Sequence, residues 1–256
     1  MSKIRLDTFL IENGFASTVN QAHFLIMSGL VLVNEEKKVK PGDMISNDSI
    51  IRLKKKLSKY VSRGGEKLEG AIKAFNISVE NKTFLDVGVS TGGFSDYCLQ
   101  NKAHFGIGID VSYGILDTKL RQAKNFTILE KQNARYLAKE DLQKHFIKKN
   151  LDRTLIDTID LVVMDVSFIS VTKILPQLKS LTTTNSNYII LIKPQFECKK
   201  EEIPSGGVIT DVLLHESIIN RIKHILEKDF TINQIVPSPI LGAKGNKEFF
   251  FWLSHG

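Results

Sequence analysis

From about Lys67 to the C-terminus, short apolar runs alternate with stretches of helical periodicity, and no other feature constrains the fold as much. The runs are Thr83–Val87, Phe105–Ile109, Phe126–Leu129, Asp160–Met164 and Tyr188–Ile192. Strand-sized runs separated by helical patterns predict βαβ units, hence a mostly parallel sheet with helices on both faces. A last helix is expected from about Val212 to Leu226, with Ile218, Ile222, Ile225 and Leu226 on one side. Thr231–Val236 and Glu248–Leu253 then read as two strands, with Gly242, Gly245 and Asn246 between them. The sheet should therefore end in a hairpin with one strand antiparallel.

The first sixty residues have a different texture. Leu6, Phe9 and Leu10 recur at helical spacing until Gly14, which tolerates the left-handed conformation of a helix end. A second helix should start near Ser17-Thr18, whose hydroxyls suit an N-cap, and stop at Gly29. Leu30–Asn34 reads as a short strand into a Glu35–Lys38 turn, and Val39 begins a return. Pro41-Gly42-Asp43 is a turn signature, and Ser49–Leu53 is a last strand. A basic stretch with Lys54, Lys55, Lys56 and Lys59 follows. This organisation gives an N-terminal α+β domain over residues 1–58, a linker over 59–62 and a large α/β domain over 63–256, with Ser58-Lys59-Tyr60-Val61 as a hinge candidate.

Charge narrows the partners. The chain carries a formal net charge of +7, which favours a polyanion, since Lys and Arg gain by neutralising phosphates. Cys98 and Cys198 form no metal-like or redox-like pair, so no disulfide framework or metal site is expected and a reducing cytoplasm fits. The N-terminus meets Lys3, Arg5 and Asp7 too early for the apolar core of a signal peptide. No apolar run approaches the ~20 residues that span a bilayer, and no internal repeat is present.

The most informative stretch runs from Phe84 to Asp96, FLDVGVSTGGFSD. A strand delivers Asp86 and Gly88 to its carboxyl end, a turn with Ser90, Thr91 and Gly92 follows, and a helix begins near Gly93 and Phe94. Ligands of open α/β sheets sit in this crevice, and amides at a helix N-terminus can hold a carboxylate. Asp110 ends the next strand, 24 residues after Asp86, where an acidic group accepts hydrogen bonds from two ribose hydroxyls. Ser90 stands at the third position of the Gly-x-Gly-x-x-Gly dinucleotide fingerprint, where glycine is needed, and no Gly-Lys-Ser/Thr phosphate loop is present. Asp86 suits a cationic methyl donor better than a pyrophosphate. Together these point to S-adenosylmethionine, and the sheet with its terminal hairpin is typical of methyltransferases that use it.

Moving a methyl group from a sulfonium to a ribose hydroxyl is an in-line displacement that needs alignment and removal of a proton. A lysine could accept that proton or steady the alkoxide, with carboxylates fixing its position and charge. Lys67 lies just before the sheet, Asp165 follows the fourth strand, Lys193 follows the fifth, and Glu248 opens the last. Lys193 and Asp165 stand apart from the many surface charges because each ends a buried apolar strand. Lys67 and Glu248 are not distinguished by local pattern.

At these residues the chain resembles the TlyA family, whose members are known both as haemolysins and as rRNA 2′-O-methyltransferases, with an FtsJ-like catalytic domain. The matching segments are Ser62–Gly65 with Lys67-Leu68, Asp86–Asp96, Asp110-Val111 with Tyr113-Gly114, and Gln132–Arg135. They continue with Asp165–Ile169, Lys193–Glu197, Gly206–Val208, and Gly245-Asn246 with Glu248-Phe249. The resemblance implies a Rossmann-like methyltransferase with the tetrad Lys67, Asp165, Lys193 and Glu248. It implies a cofactor against Gly88–Phe94 and Asp165, with Asp110 at its ribose and Asn133 near its adenine. Its implied substrate is a cytidine ribose of ribosomal RNA, presented within an assembled subunit.

The first sixty residues resemble the small RNA-binding module called the alpha-L motif, through Arg5-Leu6-Asp7, Leu10, Gln21-Ala22, Ile26–Gly29 and Val31 with Val33-Asn34. Val19 and Leu30 stand where such modules often carry basic residues. Arg5, Lys54, Lys55, Lys56, Lys59 and Arg63 remain as candidate RNA contacts. Two other functions stand beside this one: a membrane-lytic protein, as the haemolysin name suggests, and an RNA-binding scaffold without catalysis.

Overall fold

The computed structural model describes residues 3–27, 29–38, 40–53, 59–204, 206–242 and 244–256. Ser28, Val39, Lys54, Lys55, Lys56 and Ser58, all named above, lie outside the described residues. The chain divides into two compact units, Met1–Leu57 and Ser58–Gly256.

The first unit carries β1 (Lys3–Arg5), α1 (Leu6–Glu12), α2 (Val19–Met27), β2 (Val31–Val33), β3 (Glu36–Lys37), β4 (Met44–Ser46) and β5 (Ile51–Leu53). β1 pairs antiparallel with β4, while β2 lies between β3 and β5. The Thr18 hydroxyl accepts the Gln21 amide, so it caps α2 as its position suggests. Leu6, Leu10, Leu25, Ile26 and Val31 are fully buried and close the small core.

The second unit opens with α3 (Arg63–Phe75), then β6 (Thr83–Val87), α4 (Gly93–Gln100), β7 (Phe105–Asp110), α5 (Thr118–Arg121) and β8 (Phe126–Glu130). It continues with α6 (Lys139–Lys149), β9 (Ile159–Met164), α7 (Leu175–Lys179), β10 (Asn187–Ile192), α8 (Pro194–Glu197), α9 (Val212–Leu226), β11 (Phe230–Pro237) and β12 (Phe249–His255). The seven strands run in the order β11-β12-β10-β9-β6-β7-β8. β10, β9, β6, β7 and β8 are parallel neighbours, and β12 is antiparallel to both β10 and β11. This is the α/β sheet with a terminal hairpin that the alternation predicts.

Strand alternation sorts the core onto two faces. Leu85, Val87, Ile107, Val162 and Met164 face one cluster with Phe146, Ile218 and Ile222. Phe84, Leu161 and Val163 face the other, with Leu68, Ile72, Phe94 and Leu120. The chain leaves β6 toward β7 and β8, then returns to lay β9 on the other side of β6. The reversal opens a crevice at the carboxyl ends of β6 and β9, where ligands of such sheets bind.

Candidate active site

Backbone close packing shapes the crevice. Gly88 has φ +83°, and a β-carbon there would collide with the Asp165 carbonyl oxygen, so the loop after β6 lies directly against the end of β9. The Asp165 amide also donates to the Val87 carbonyl at 3.0 Å. Gly93 is needed for a different reason: a β-carbon there would strike Ser62 Oγ and crowd the Gly65 amide. The N-termini of α3 and α4 therefore meet across glycines.

Much of the loop is satisfied internally. The Gly88 and Val89 amides reach the Ile109 carbonyl at 2.9 and 3.3 Å, and the Gly92 amide reaches Val89. Asp110, at the end of β7, accepts the Ser90 and Ser112 amides, both at 2.7 Å, and its carboxylate thereby shapes the turn. The Thr91 carbonyl accepts the Asp117 amide. The Phe94 ring faces the core, 6.0 Å from Phe250, so Phe94 has only its backbone to offer a ligand.

Asp86 is buried, and its Oδ2 accepts the Ser95 hydroxyl at 2.6 Å, bracing β6 to α4. Its Oδ1 is buried without a hydrogen-bond partner among the described residues. Burial pushes this carboxyl up to about 7; Ser95 opposes the shift, and the neighbouring Asp165 and Asp110 charges add to it. The ordinary value is 3.8, so the folded chain keeps a proton that the unfolded chain releases as pH rises through the interval. Stability should therefore fall from about pH 4 to about pH 7, by at most about 1.4 kcal/mol per pH unit. Urea unfolding across that range should show the decline, and Asp86→Asn, which cannot ionise, should flatten it. An equal slope in both proteins would refute the assignment.

Four charged groups line the carboxyl edge. Lys193, next after β10, places Nζ 2.6 Å from Asp165 Oδ1 and donates to Ser167 Oγ at 3.0 Å. Lys67, in the second turn of α3, places Nζ 2.5 Å from Glu248 Oε2. Lys67 and Glu248 are buried, at 8% and 3% exposure. β10 and β12 pair Ile192 with Phe249. Carried one residue further, that antiparallel register sets Lys193 beside Glu248. Glu248 thus stands immediately before the last strand rather than within it. Asn246 (also buried) holds the approach to Glu248: its amide group accepts from Ile209 and donates to Gly207, both at 2.9 Å.

The remaining sequence candidates are dispersed. Asn133 is exposed beyond β8, with Oδ1 accepting the Arg135 amide. Arg63 is exposed in the first turn of α3. Arg5 is engaged by Asp7 in a two-point contact at 3.1 and 2.6 Å, which with its other hydrogen bonds holds the Asp7 carboxyl down at about 2. Lys59 pairs with Glu69 at 2.6 Å. The expected hinge is fastened where it is described: the Val61 amide donates to Asp96, the Lys59 carbonyl accepts from Gln100, and Tyr60 is buried edge-on to Tyr97.

One feature of the rim is not foreseen. Phe168 is 90% exposed, has φ +64°, and lies with its ring centroid 4.8 Å from that of Phe196. A phenylalanine at positive φ is a conformational outlier held by its surroundings, and such outliers gather at functional sites. In the sequence Phe168 stands only within the family-matching segment Asp165–Ile169.

Comparison with known proteins adds the family to this geometry. The model of the FtsJ-like methyltransferase matches residues 60–255. The chain belongs to the FtsJ-like methyltransferase family. A model of the S4 domain matches residues 4–50. Two relatives of this FtsJ-like methyltransferase carry different names. Hemolysin A of Brachyspira hyodysenteriae is 37% identical, covering 96% of this chain and 98% of its own. The 16S/23S rRNA (cytidine-2'-O)-methyltransferase TlyA of Mycobacterium tuberculosis is 34% identical, covering 98% and 90%. A solved Streptococcus thermophilus structure, described by the name hemolysin, superposes with a TM-score of 0.73 at 35% identity, covering 100% of this chain and 89% of that one.

Proposed function

We propose that this methyltransferase moves the methyl group of S-adenosylmethionine onto the 2′-hydroxyl of a cytidine in ribosomal RNA, acting in the cytoplasm on an assembled subunit. The observation that carries the reading is the pairing of Lys193 with Asp165 at the end of β10, beside the loop that Gly88 presses against β9. The cytidine and the ribosomal RNA come from the name of the Mycobacterium tuberculosis relative.

The residues fit the donor. Asp86 offers a buried carboxyl oxygen without a hydrogen-bond partner among the described residues toward a cationic group, and the Gly88–Phe94 turn lies at the carboxyl end of β6, where such sheets hold ligands. Asp110, with Asn133 beyond β8, would hold the adenosine end, while Ser90, Thr91, Gly92 and Gly93 form the wall. The bound donor supplies an electrophilic methyl group on a sulfonium. Lysine has three N–H donors; Lys193 directs one at Ser167 and forms an ion pair with Asp165 at 2.6 Å. A further N–H of the charged lysine would steady the charge developing on the ribose oxygen, while the hydroxyl proton would pass to the Asp165 carboxylate. Lys67 and Glu248 fix the wall opposite. Phe168, packed at a tilt against Phe196, offers the exposed aromatic face on which an unpaired base would be held.

The RNA-binding assignment for the rest of the chain rests on the S4 match and the charge of +7. Arg5, Lys54, Lys55, Lys56, Lys59 and Arg63 are the proposed phosphate contacts. No helix among the described residues is long and apolar enough to cross a membrane.

The test is transfer of labelled methyl from S-adenosylmethionine to purified small and large ribosomal subunits. Label should enter ribose, making one phosphodiester resistant to alkaline cleavage. Donor binding with no label in either subunit or in naked ribosomal RNA would overturn the ribosomal assignment.

A further inference from the structure

The turn that follows β10 does more than deliver Lys193. Within five residues it contacts the loop after β9 at three places. Lys193 holds Asp165 and Ser167, and Phe196 carries Phe168. Glu197 then accepts the Val171 amide on Oε1 at 2.9 Å. Val171 opens a short 3-10 turn, Val171–Lys173, so its amide is one of the donors that such a turn leaves without an internal partner. Glu197 is largely buried, and its carboxyl is pushed up by burial, with the Ser170 hydroxyl and the Val171 amide opposing. From the other side, Arg221 of α9 donates to the Glu197 carbonyl and pairs with Glu202.

A loop is only as well placed as its two ends. The near end of Asp165–Ser170 is fixed by the bond from Asp165 to Val87 and by Lys193. The far end is fixed by Glu197, and between the two sits Phe168 at a conformation it would not hold unaided. We infer that Glu197 is a positioning residue for the acceptor nucleotide, setting the Phe168 face and the Ser167 hydroxyl through the Val171 amide while leaving the methyl-donor side alone. The nucleotide part rests on the reading above; the clamp itself does not.

The test compares Glu197→Ala, Glu197→Gln, Phe168→Ala and the Glu197→Ala/Phe168→Ala pair, in the full chain. In Glu197→Ala, hydrogen exchange at the Val171 amide should speed up by tenfold or more, with exchange in β6 and β9 unchanged. Affinity for S-adenosylmethionine should stay within twofold of wild type. With ribosomal subunits as substrate, KM should rise by tenfold or more. Glu197→Gln keeps an acceptor oxygen and should restore both the Val171 protection and most of the KM. In the Phe168→Ala background, Glu197→Ala should add less than about threefold, because the face it positions is already gone. A Val171 amide that exchanges freely in wild type, or a Glu197→Ala protein that loses donor affinity and global protection together, would overturn the inference. If wild type fails to label any subunit, the ribosomal reading falls, and the exchange data still decide the clamp.

Discussion

Lys193→Ala should lose about a thousandfold or more in methyl transfer while still binding S-adenosylmethionine. General acid–base and charge stabilisation by a placed side chain contribute about 10²–10⁴-fold, and Lys193 is the group held at the end of β10 by Asp165 and Ser167. Its side chain is only 12% exposed, yet the residue sits at a strand end and not inside the sheet, so truncation leaves the fold intact. Asp165 keeps its backbone bond to Val87 whatever its partner does. Lys193→Arg keeps the charge but spreads it over a planar group that cannot reproduce the geometry of an ammonium, so it should recover little. Single-turnover transfer beside calorimetric titration of the donor separates the two effects. An Ala variant with more than a tenth of wild-type transfer would remove Lys193 from the chemistry. One that also lost donor binding would move it to the cofactor wall.

How far the sequence could be read follows from which forces act locally. Strand and helix placement in the large unit rests on apolar periodicity, and the predicted Val212–Leu226 helix is the one observed, with Asp211 capping it through the Leu213 and Leu214 amides. Lys193 and Asp165 were distinguishable because a charge that ends a buried strand projects into a crevice. Lys67 and Glu248 were not: they are 181 residues apart in sequence, and only the fold brings the start of α3 beside the approach to β12. Only the family pattern named them. Asp86 illustrates a different limit. Its place at the end of β6 was legible, whereas the Ser95 brace and the raised proton affinity depend on burial from both faces. The conformation of Phe168 was least accessible of all. Its positive φ lies in a loop that meets Lys193, Phe196 and Glu197 of a separate segment, and no local signal announces it.

The second large effect separates stability from catalysis at the Lys67–Glu248 pair. Both groups are buried and bonded at 2.5 Å, and Glu248 also fills the space beside Gly242, where a β-carbon would strike its Oε1. Taking two charges out of water costs several kcal/mol per ion, which the pair recovers only while both members are present. Lys67→Met keeps the bulk of the stem but leaves a buried carboxylate alone, and should destabilise the protein by about 3–5 kcal/mol. Lys67→Met with Glu248→Leu removes the stranded charge and should return most of that loss, since matched apolar replacements of buried pairs are often neutral or better. If the pair exists only to hold α3 against β12, the double variant should regain activity with stability. If the pair serves the acceptor site as proposed, the double variant should fold like wild type and remain inactive. Urea unfolding and single-turnover transfer on the same three proteins give both readouts. A double variant that is stable and active would reduce the tetrad to Lys193 and Asp165 and leave Lys67 and Glu248 as a buried strut.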